Sequence, residues 1–272
     1  MNKVAKLRAI FKSLKMEFLP GVHDGQSAHV AEQDGVRGVW VSVADRVHSG
    51  MNVTDWLDII EHAGSLSRTM SIPCLLDIGK GFGDLKNTVA HLRRLGIAGV
   101  CIEDGVEPGE PWSLAAVNES CEQVRAAKGE AGNDIFLVAR CGALASGRGM
   151  QETLDRCYAL QKAGADAVLL HSEKAHGLEI AEFMYRWRGT VPVAIISSQY
   201  TSVPTQVFDN AGVAVAIRAT RGLVTPQTEP DKPGWLHVEA RREDHVEQDI
   251  PPLDTVLLHR VREEAQNRYQ PG

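Results

Sequence analysis

The segment PCLLDIGKGFGDLKNTVAHLRRLGIAGVCIED, residues 73–104, contains the pattern that decides the fold. It begins with a short apolar run at 73–78, continues with a stretch whose apolar residues recur every three to four positions at 84–96, and ends with a second apolar run at 99–104. Nearly uniform apolar runs are typical of parallel strands that are covered on both faces. The middle stretch ends in Gly96 and is typical of an amphipathic helix with a glycine stop. The segment therefore predicts a β–α–β unit.

The same alternation recurs along most of the chain. Apolar runs that predict strands cover residues 17–22, 38–43, 73–78, 99–104, 135–140, 167–172, 191–198 and 213–219. A second well-defined helix is predicted at 150–164, where the periodic stretch ends in Gly164. Repeated β–α units build a parallel sheet, which is either open and doubly wound or closed into a barrel. The number of repeats favours closure, so we predict an α/β fold, a (β/α)₈ TIM barrel over residues 1–224.

Length and composition argue against several classes of function. The chain has 272 residues, of which 43% are hydrophobic, and a formal net charge of -6. That length suits one large barrel or two modest domains, and the acidic balance argues against a nucleic-acid partner. No apolar run approaches the roughly 20 residues needed to cross a membrane. We therefore expect a cytoplasmic protein that acts on small molecules.

Neither the amino terminus nor the cysteines show a targeting or metal-binding pattern. The basic segment 1–15 has its apolar residues at helical spacing and predicts a helix, not a signal peptide; these residues are Val4, Leu7, Ile10, Phe11 and Leu14. The cysteines show no CxxC or Cys/His spacing and are Cys74, Cys101, Cys121, Cys141 and Cys157. We expect reduced thiols without zinc or a disulfide framework.

Polar side chains fall where the predicted strands end. They are Asp77, Glu103, Asp104, Arg140, His171, Ser172, Ser197 and Ser198. The carboxyl ends of barrel strands converge on one face, where active sites of such barrels lie. Any one of these residues could simply mark the point at which a strand reaches solvent. Their succession, with acidic, basic and imidazole groups, favours a functional site.

Two of these residues form a pattern suited to a metal ion. Asp77 and Glu103 end neighbouring predicted strands, and Mg²⁺ needs only one or two protein carboxylates because it keeps several waters. The stretch 77–84 adds three glycines, which let backbone approach a ligand closely. Its spacing matches neither a Walker motif nor a dinucleotide-binding motif.

The chain resembles a known superfamily from about residue 6 to about residue 225. The motifs that carry the resemblance are GVWVS (38–42), LLDIGKGFGD (75–84), GVCIED (99–104), ARCGAL (139–144), GADAVLLHSEKA (164–175) and PVAIISSQYTSVPT (192–205). They resemble the phosphoenolpyruvate mutase/isocitrate lyase superfamily, and most closely its branch of phosphoenolpyruvate mutases and phosphonopyruvate hydrolases. The resemblance implies the same barrel that the strand pattern predicts.

The resemblance also implies roles for individual residues. Asp77 and Glu103 match acidic positions that hold Mg²⁺, directly or through water. Ser42, after Trp40, matches a serine whose surroundings bind the substrate carboxylate, so we expect Trp40 and Ser42 to bind the substrate. Arg140 and His171 match residues that contact the anionic group of the substrate, and we expect both to be catalytic.

The sequence departs from the family pattern at several positions. Gly79 and Lys80 stand where mutases carry an acid and a threonine, Gly105 stands in place of a loop lysine, and Gly142 in place of a glutamate. Lys80 is expected to act in catalysis by neutralising an additional carboxylate or phosphoryl charge; the alternative is a solvated loop lysine. The loop after the second strand is shorter than in mutases, so no nucleophile aligns cleanly, and Asp45 and Asp55 are the candidates. The catalytic cysteine loop of the lyases is absent.

The expected function is a Mg²⁺-dependent reaction that makes or breaks a C–P or C–C bond next to a 2-oxo acid through an enolate. The substrate is expected to be a phosphonate or a carboxylated phosphoenolpyruvate-like acid. The alternatives are a non-catalytic anion-binding barrel and a 2-oxo acid decarboxylase or acetylhydrolase of the same superfamily. The resemblance further implies a homodimer or homotetramer, in which the polar arm at 225–252 carries a helix at 253–266 to a neighbouring subunit.

Overall fold

The computed structural model describes residues 2–42, 56–81, 84–106, 113–200 and 203–218. The strands in these ranges are β1 (Glu17–Pro20), β2 (Val39–Ser42), β3 (Cys74–Asp77), β4 (Gly99–Glu103), β5 (Phe136–Cys141), β6 (Ala167–Leu170), β7 (Val193–Ile196) and β8 (Val215–Arg218). The helices are α1 (Lys3–Phe11), α2 (Gly25–Gln33), α3 (Trp56–Thr69), α4 (Leu85–Arg94), α5 (Val117–Ala131), α6 (Met150–Ala163), α7 (Leu178–Arg186) and α8 (Thr205–Asn210). Each predicted strand is confirmed to within two residues at either end.

The strands form one parallel sheet that closes on itself. Neighbouring strands are hydrogen-bonded in the order β1-β8-β7-β6-β5-β4-β3-β2. The remaining gap, between β1 and β2, is bridged by a parallel pairing of Gly21 with Trp40. There the Val22 amide donates a hydrogen bond of 2.8 Å to the Trp40 carbonyl. The predicted (β/α)₈ barrel is therefore confirmed.

Alternation along the strands divides the core into two layers. One buried cluster fills the inside of the barrel and includes Leu19, Trp40, Leu75, Cys101, Val138 and Leu169. A second cluster lies between the strands and the helices and includes Val41, Leu76, Ile102, Ala139 and Leu170. Successive residues of a strand point to opposite faces, so both sides of each strand must be apolar. This is why the strands read as unbroken apolar runs in the sequence.

Helix α1 closes the amino-terminal end of the barrel. Leu7, Ile10 and Phe11 belong to the inner cluster, and the rings of Phe11 and Phe136 lie 4.6 Å apart between centroids. Gly99 makes room for the helix, because a Cβ there would lie 2.5 Å from Leu7 Cδ2. The helix was predicted to include Leu14, and this is wrong: α1 ends at Phe11 and Leu14 is fully exposed beyond it.

An ion-pair network ties the amino-terminal end together. Asp166, in the turn between α6 and β6, accepts hydrogen bonds from Lys128 at 2.8 Å and Arg8 at 3.1 Å. The same carboxylate accepts the Leu137 amide at 2.9 Å. It thereby joins α1, α5 and β5, three elements that are distant in the sequence.

Other expectations have mixed outcomes. Gly96 and Gly164 follow α4 and α6 in left-handed conformations, which confirms both as helix stops. All of the cysteines are buried and free.

None of the helices within the described ranges combines the length and apolar character that crossing a bilayer requires. The predicted arm at 225–252 and exchanged helix at 253–266 lie outside the described residues and stay predictions, as does the assembly that depends on them.

Candidate active site

A polar layer lies above the apolar interior at the carboxyl ends of the strands. Trp40, Leu75, Cys101, Val138 and Leu169 face the inside of the barrel. Two positions further along these strands, the inward positions are Ser42, Asp77, Glu103, Arg140 and His171. Because side chains in a strand repeat every second residue, this set turns toward the same interior. The strand period therefore brings together the polar residues that the sequence placed at separate strand ends.

Arg140 lies between two acids. Its Nη1 is 3.7 Å from Asp77 Oδ2, and its Nε is 3.8 Å from Glu103 Oε1. These contacts are longer than the roughly 2.7–2.9 Å of a strong charged hydrogen bond. The three side chains are largely buried, with 9 to 14% of their surface exposed. The carboxylate oxygens therefore have capacity for a further partner.

Burial dominates the electrostatics of both acids. It raises the pKa of Asp77, against the opposing effects of Arg140, the Gly79 amide and the Ser42 hydroxyl. Burial also raises the pKa of Glu103, and the nearby positive charges of Arg140 and Lys80 oppose that rise. A buried carboxylate is costly unless it is paired or binds a cation. A metal ion at this position would remove that cost.

The turn after β3 brings Lys80 to the site. Gly79 and Gly81 have φ values of 56° and 86°, which is a left-handed conformation that glycine adopts without strain. The Gly79 amide donates to Asp77 Oδ1 at 3.0 Å, and the Gly79 carbonyl accepts the Glu103 amide at 2.7 Å. A cavity of about 200 Å³ opens beside this turn, lined by Lys80, Glu103, Gly105, Ser113 and Leu114.

His171 is held by residues that the sequence analysis did not select. Its Nε2 lies 2.9 Å from Glu173 Oε1 and 3.4 Å from Gln199 Nε2. Glu173 follows β6 and Gln199 follows β7, both within motifs that carried the family resemblance. Their position just after a strand end was the available signal. Contact with His171 could not be read from it, because that depends on the path of two loops.

Two predicted strand-end residues turn away from the barrel interior. Asp104 accepts the Gly142 amide at 2.8 Å and lies 3.4 Å from Arg156 Nη1 of α6. Ser172 donates to Glu179 of α7 at 2.5 Å. Each directly follows an inward-facing residue, so the alternation of the strand directs it toward the helices. By the same rule Cys141 is buried in the outer layer.

The family model described as phosphoenolpyruvate phosphomutase matches residues 7–224 of this chain. The chain belongs to that family. It is 33% identical over 238 residues to phosphoenolpyruvate phosphomutase of Tetrahymena pyriformis. The matched region covers 82% of this chain and 79% of the relative. It is 30% identical over 246 residues to phosphonopyruvate hydrolase of Variovorax sp. (strain Pal2), at 82% and 85% coverage.

A solved structure of a family member supports the same relationship. Phosphonopyruvate hydrolase in complex with oxalate and Mg²⁺ superposes with a TM-score of 0.76 at 25% identity, covering 99% of each chain. These relatives are enzymes, and this chain is an enzyme of the same mutase or lyase type. The expected membership of the phosphoenolpyruvate mutase/isocitrate lyase superfamily is confirmed.

The donor set fits Mg²⁺ better than a metal that needs several strong protein ligands. Within the described ranges, no three or more His, Cys, Asp and Glu side chains cluster in a way that could hold a metal. Asp77 and Glu103 offer carboxylate oxygens only, and Mg²⁺ accepts one or two of these while keeping waters. Ser42 pairs with Asp77 across β2 and β3 and donates a hydrogen bond to its carboxylate. Such a hydroxyl orients the carboxylate toward a bound ion.

Proposed function

We propose that this enzyme breaks or makes the C–P bond of a phosphonate whose carbon lies next to a 2-oxo acid, with Mg²⁺ as its cofactor. The observation that carries the proposal is the position of Arg140, within 3.7 and 3.8 Å of two largely buried acids on the open face of the barrel. Cleavage beside a 2-oxo group leaves an enolate, and a divalent cation supplies the positive charge that stabilises it. The names of the relatives, phosphomutase and phosphonopyruvate hydrolase, support a phosphonate substrate.

Each residue of the polar layer has its own proposed role. Asp77 and Glu103 would hold the metal. Arg140 is planar and offers several donors in a fixed fork, which suits a carboxylate or phosphonate group better than a lysine would. Ser42 donates its single hydroxyl hydrogen to Asp77 and orients that carboxylate, and the surroundings of Ser42 are proposed to bind the substrate carboxylate. Trp40 is 1% exposed and forms the apolar floor beneath Ser42.

His171 is the group best placed to orient an anion or transfer a proton. Its ring is 4% exposed and has Glu173 and Gln199 as neighbours of Nε2. A carboxylate beside one ring nitrogen fixes the orientation of the imidazole and selects its tautomer. We assign Glu173 and Gln199 as the residues that position His171.

The reaction can be identified by phosphorus NMR. The full chain is incubated with phosphonopyruvate, with and without Mg²⁺. A mutase converts it to phosphoenolpyruvate, and a hydrolase uses water to give pyruvate and inorganic phosphate. Either conversion, lost on chelation of the metal, supports the proposal. No Mg²⁺-dependent change in the phosphorus spectrum contradicts C–P chemistry. A parallel assay for release of carbon dioxide, acetate or oxalate from oxaloacetate then tests cleavage of a C–C bond.

A further inference from the structure

The backbone turn that carries Lys80 is held by hydrogen bonds. The turn that carries it is bonded on one side to the Asp77 carboxylate through the Gly79 amide at 3.0 Å. On the other side it is bonded to β4 through the Glu103 amide at 2.7 Å. Gly81 completes the turn with a hydrogen bond of 2.9 Å to the Ile78 carbonyl. The backbone of Lys80 is therefore fixed relative to both acids of the site.

The end of the Lys80 side chain passes directly over Gly105. A Cβ built at residue 105 would lie 2.8 Å from Lys80 Cε and 3.6 Å from Nζ. A contact below 3.0 Å means that something must shift, and the shift is easy where the neighbour is the end of a flexible side chain. Lys80 supplies all of the closest neighbours of that Cβ, and Gly105 is not in a left-handed conformation. The lack of a side chain at residue 105 thus leaves room for the end of Lys80 in its present position.

The cavity next to Lys80 is bordered by two chain segments that are hydrogen-bonded to each other. Gly105 pairs with Leu114 in an antiparallel bridge, and the Val106 amide donates to the Ser113 carbonyl at 2.8 Å. The Ala115 amide donates to the Asp104 carbonyl at 2.9 Å and extends this pairing. Lys80 and Ser113 line a cavity of about 200 Å³ together with Glu103.

The two cations of the site have different partners. Arg140 lies between Asp77 and Glu103. Glu103 has its ion pair with Arg140, at 3.8 Å, and Lys80 acts on Glu103 only as a more distant charge. Within the described ranges no ion pair or hydrogen bond engages the Lys80 ammonium, so it is the cation available to a ligand in the cavity. An ammonium with a serine nearby is a combination that binds oxyanions.

We infer that Lys80 determines substrate specificity by binding a second anionic group on the third carbon of the 2-oxo acid, and that Gly105 leaves room for the end of this lysine. The inference rests on the proposed function, since it assumes that the 2-oxo acid end of the substrate lies on Asp77, Glu103 and Arg140. It names the substrate class: 2-oxo acids with a phosphonate or carboxylate at the far end. Lys80 acts on that distal group and not on the metal.

Two probes separate this role from a general effect on the site. Oxalate resembles the 2-oxo acid end and has no distal group, whereas 3-sulfopyruvate carries a sulfonate in the place of the phosphonate. Binding of each is measured by titration calorimetry at saturating Mg²⁺. Lys80→Met should weaken sulfopyruvate binding about tenfold, the loss of one hydrogen bond to a charged group. Oxalate binding should stay within about twofold. Lys80→Arg should restore most of the sulfopyruvate affinity.

The matched control is Lys86→Met, which removes an exposed lysine charge on α4. It should change neither affinity. If Lys80→Met weakens both probes equally, or neither, the assignment of Lys80 is overturned while the proposed function stands. If the parent chain binds no oxalate in the presence of Mg²⁺, the proposed function fails and the inference fails with it.

A double-mutant cycle tests the contact with Gly105. Gly105→Ala should shift the flexible end of Lys80 without removing its charge, and should weaken sulfopyruvate binding by about threefold. In a Lys80→Ala background the same substitution should have less than about a twofold effect, because the two changes remove the same contact. Additive losses would show that residue 105 acts independently of Lys80 and would overturn this part of the inference.

Discussion

The two ends of the barrel each hold a cluster of charged residues, and the two clusters are built in opposite ways. At the amino-terminal end one acid, Asp166, lies between two bases at 2.8 and 3.1 Å and also accepts a backbone amide at 2.9 Å. At the carboxyl end one base, Arg140, lies between two acids at 3.7 and 3.8 Å. In the first cluster the acid has short contacts with both bases, and in the second the base has only long contacts with both acids.

This difference distinguishes an acid that stabilises the fold from the two acids that we propose bind a cation. The oxygens of Asp166 are saturated by donors from α1, α5 and β5, so that carboxylate stabilises the closed end of the barrel. Asp77 accepts the Gly79 amide at 3.0 Å and the Ser42 hydroxyl, but the contacts of both Asp77 and Glu103 with their charged neighbour Arg140 are long, and burial raises the pKa of both acids. Incomplete pairing of this kind is costly in a metal-free protein and useful for binding a cation. Substitutions at the two ends should therefore have opposite consequences.

The largest effect is expected for the acids at the carboxyl end. Asp77→Ala and Glu103→Ala should each lower turnover by at least about a hundredfold and weaken Mg²⁺ binding, because the metal proposed to stabilise the enolate would lose a ligand. The melting temperature should not fall, since each change removes a buried charge. Activity is followed by phosphorus NMR and metal binding by calorimetry. Asp155→Ala, on the exposed side of α6, is the control. A variant that unfolds, or binds Mg²⁺ as tightly as the parent, would refute the metal assignment.

The acid at the amino-terminal end should show the reverse. Asp166→Ala leaves Arg8 and Lys128 without their shared partner, and we expect it to lower the free energy of unfolding by about 2 kcal/mol because the network is only partly buried. Activity per folded molecule should be unchanged. Urea denaturation gives the stability. Asp134→Ala, which removes an exposed acid 3.9 Å from Arg93, should have an effect below about 0.5 kcal/mol. Equal losses for the two variants would contradict the structural role of Asp166.

A smaller effect is expected for Arg140→Lys. The charge is kept, but a single ammonium cannot contact Asp77, Glu103 and a substrate oxyanion in the way that a planar fork can. We expect kcat/KM to fall about tenfold, with little change in stability. Steady-state kinetics with phosphonopyruvate check this. Unchanged KM and kcat would remove Arg140 from the site.

The smallest effect is expected for Glu173→Gln. The glutamine keeps the size of the side chain and a hydrogen-bonding group near His171 Nε2, but removes the charge. Because Glu173 is about half exposed, at 52%, its charge is partly screened. We expect kcat to fall about threefold, with a shift in the pH–rate profile that a purely structural role would not produce. A profile identical to that of the parent would rule out the positioning role.

The sequence by itself determined the strands, their alternating faces and the polar layer of the site. Asp77, Glu103, Arg140 and His171 could be selected because polar residues end apolar runs, and Ser42 because the family resemblance implied it. The two-residue period of a strand explains why these side chains share one interior. The same rule, applied more strictly, would have turned Asp104 toward the helices. The local sequence was sufficient to place each of these residues in the site, because the carboxyl ends of all eight parallel strands lie on the same face of the barrel.

Only the tertiary structure decided which residues meet across that face and beneath it. Asp166 finds its partners at residues 8 and 128, Lys80 crosses Gly105, and Gln199 reaches His171 from another strand. These contacts join positions that are 25 to 158 residues apart in the printed sequence. They depend on barrel closure, on the depth to which α1 enters and on the paths of individual loops. No periodic pattern encodes such distances, because each contact results from packing the whole chain and not from the preferences of neighbouring residues.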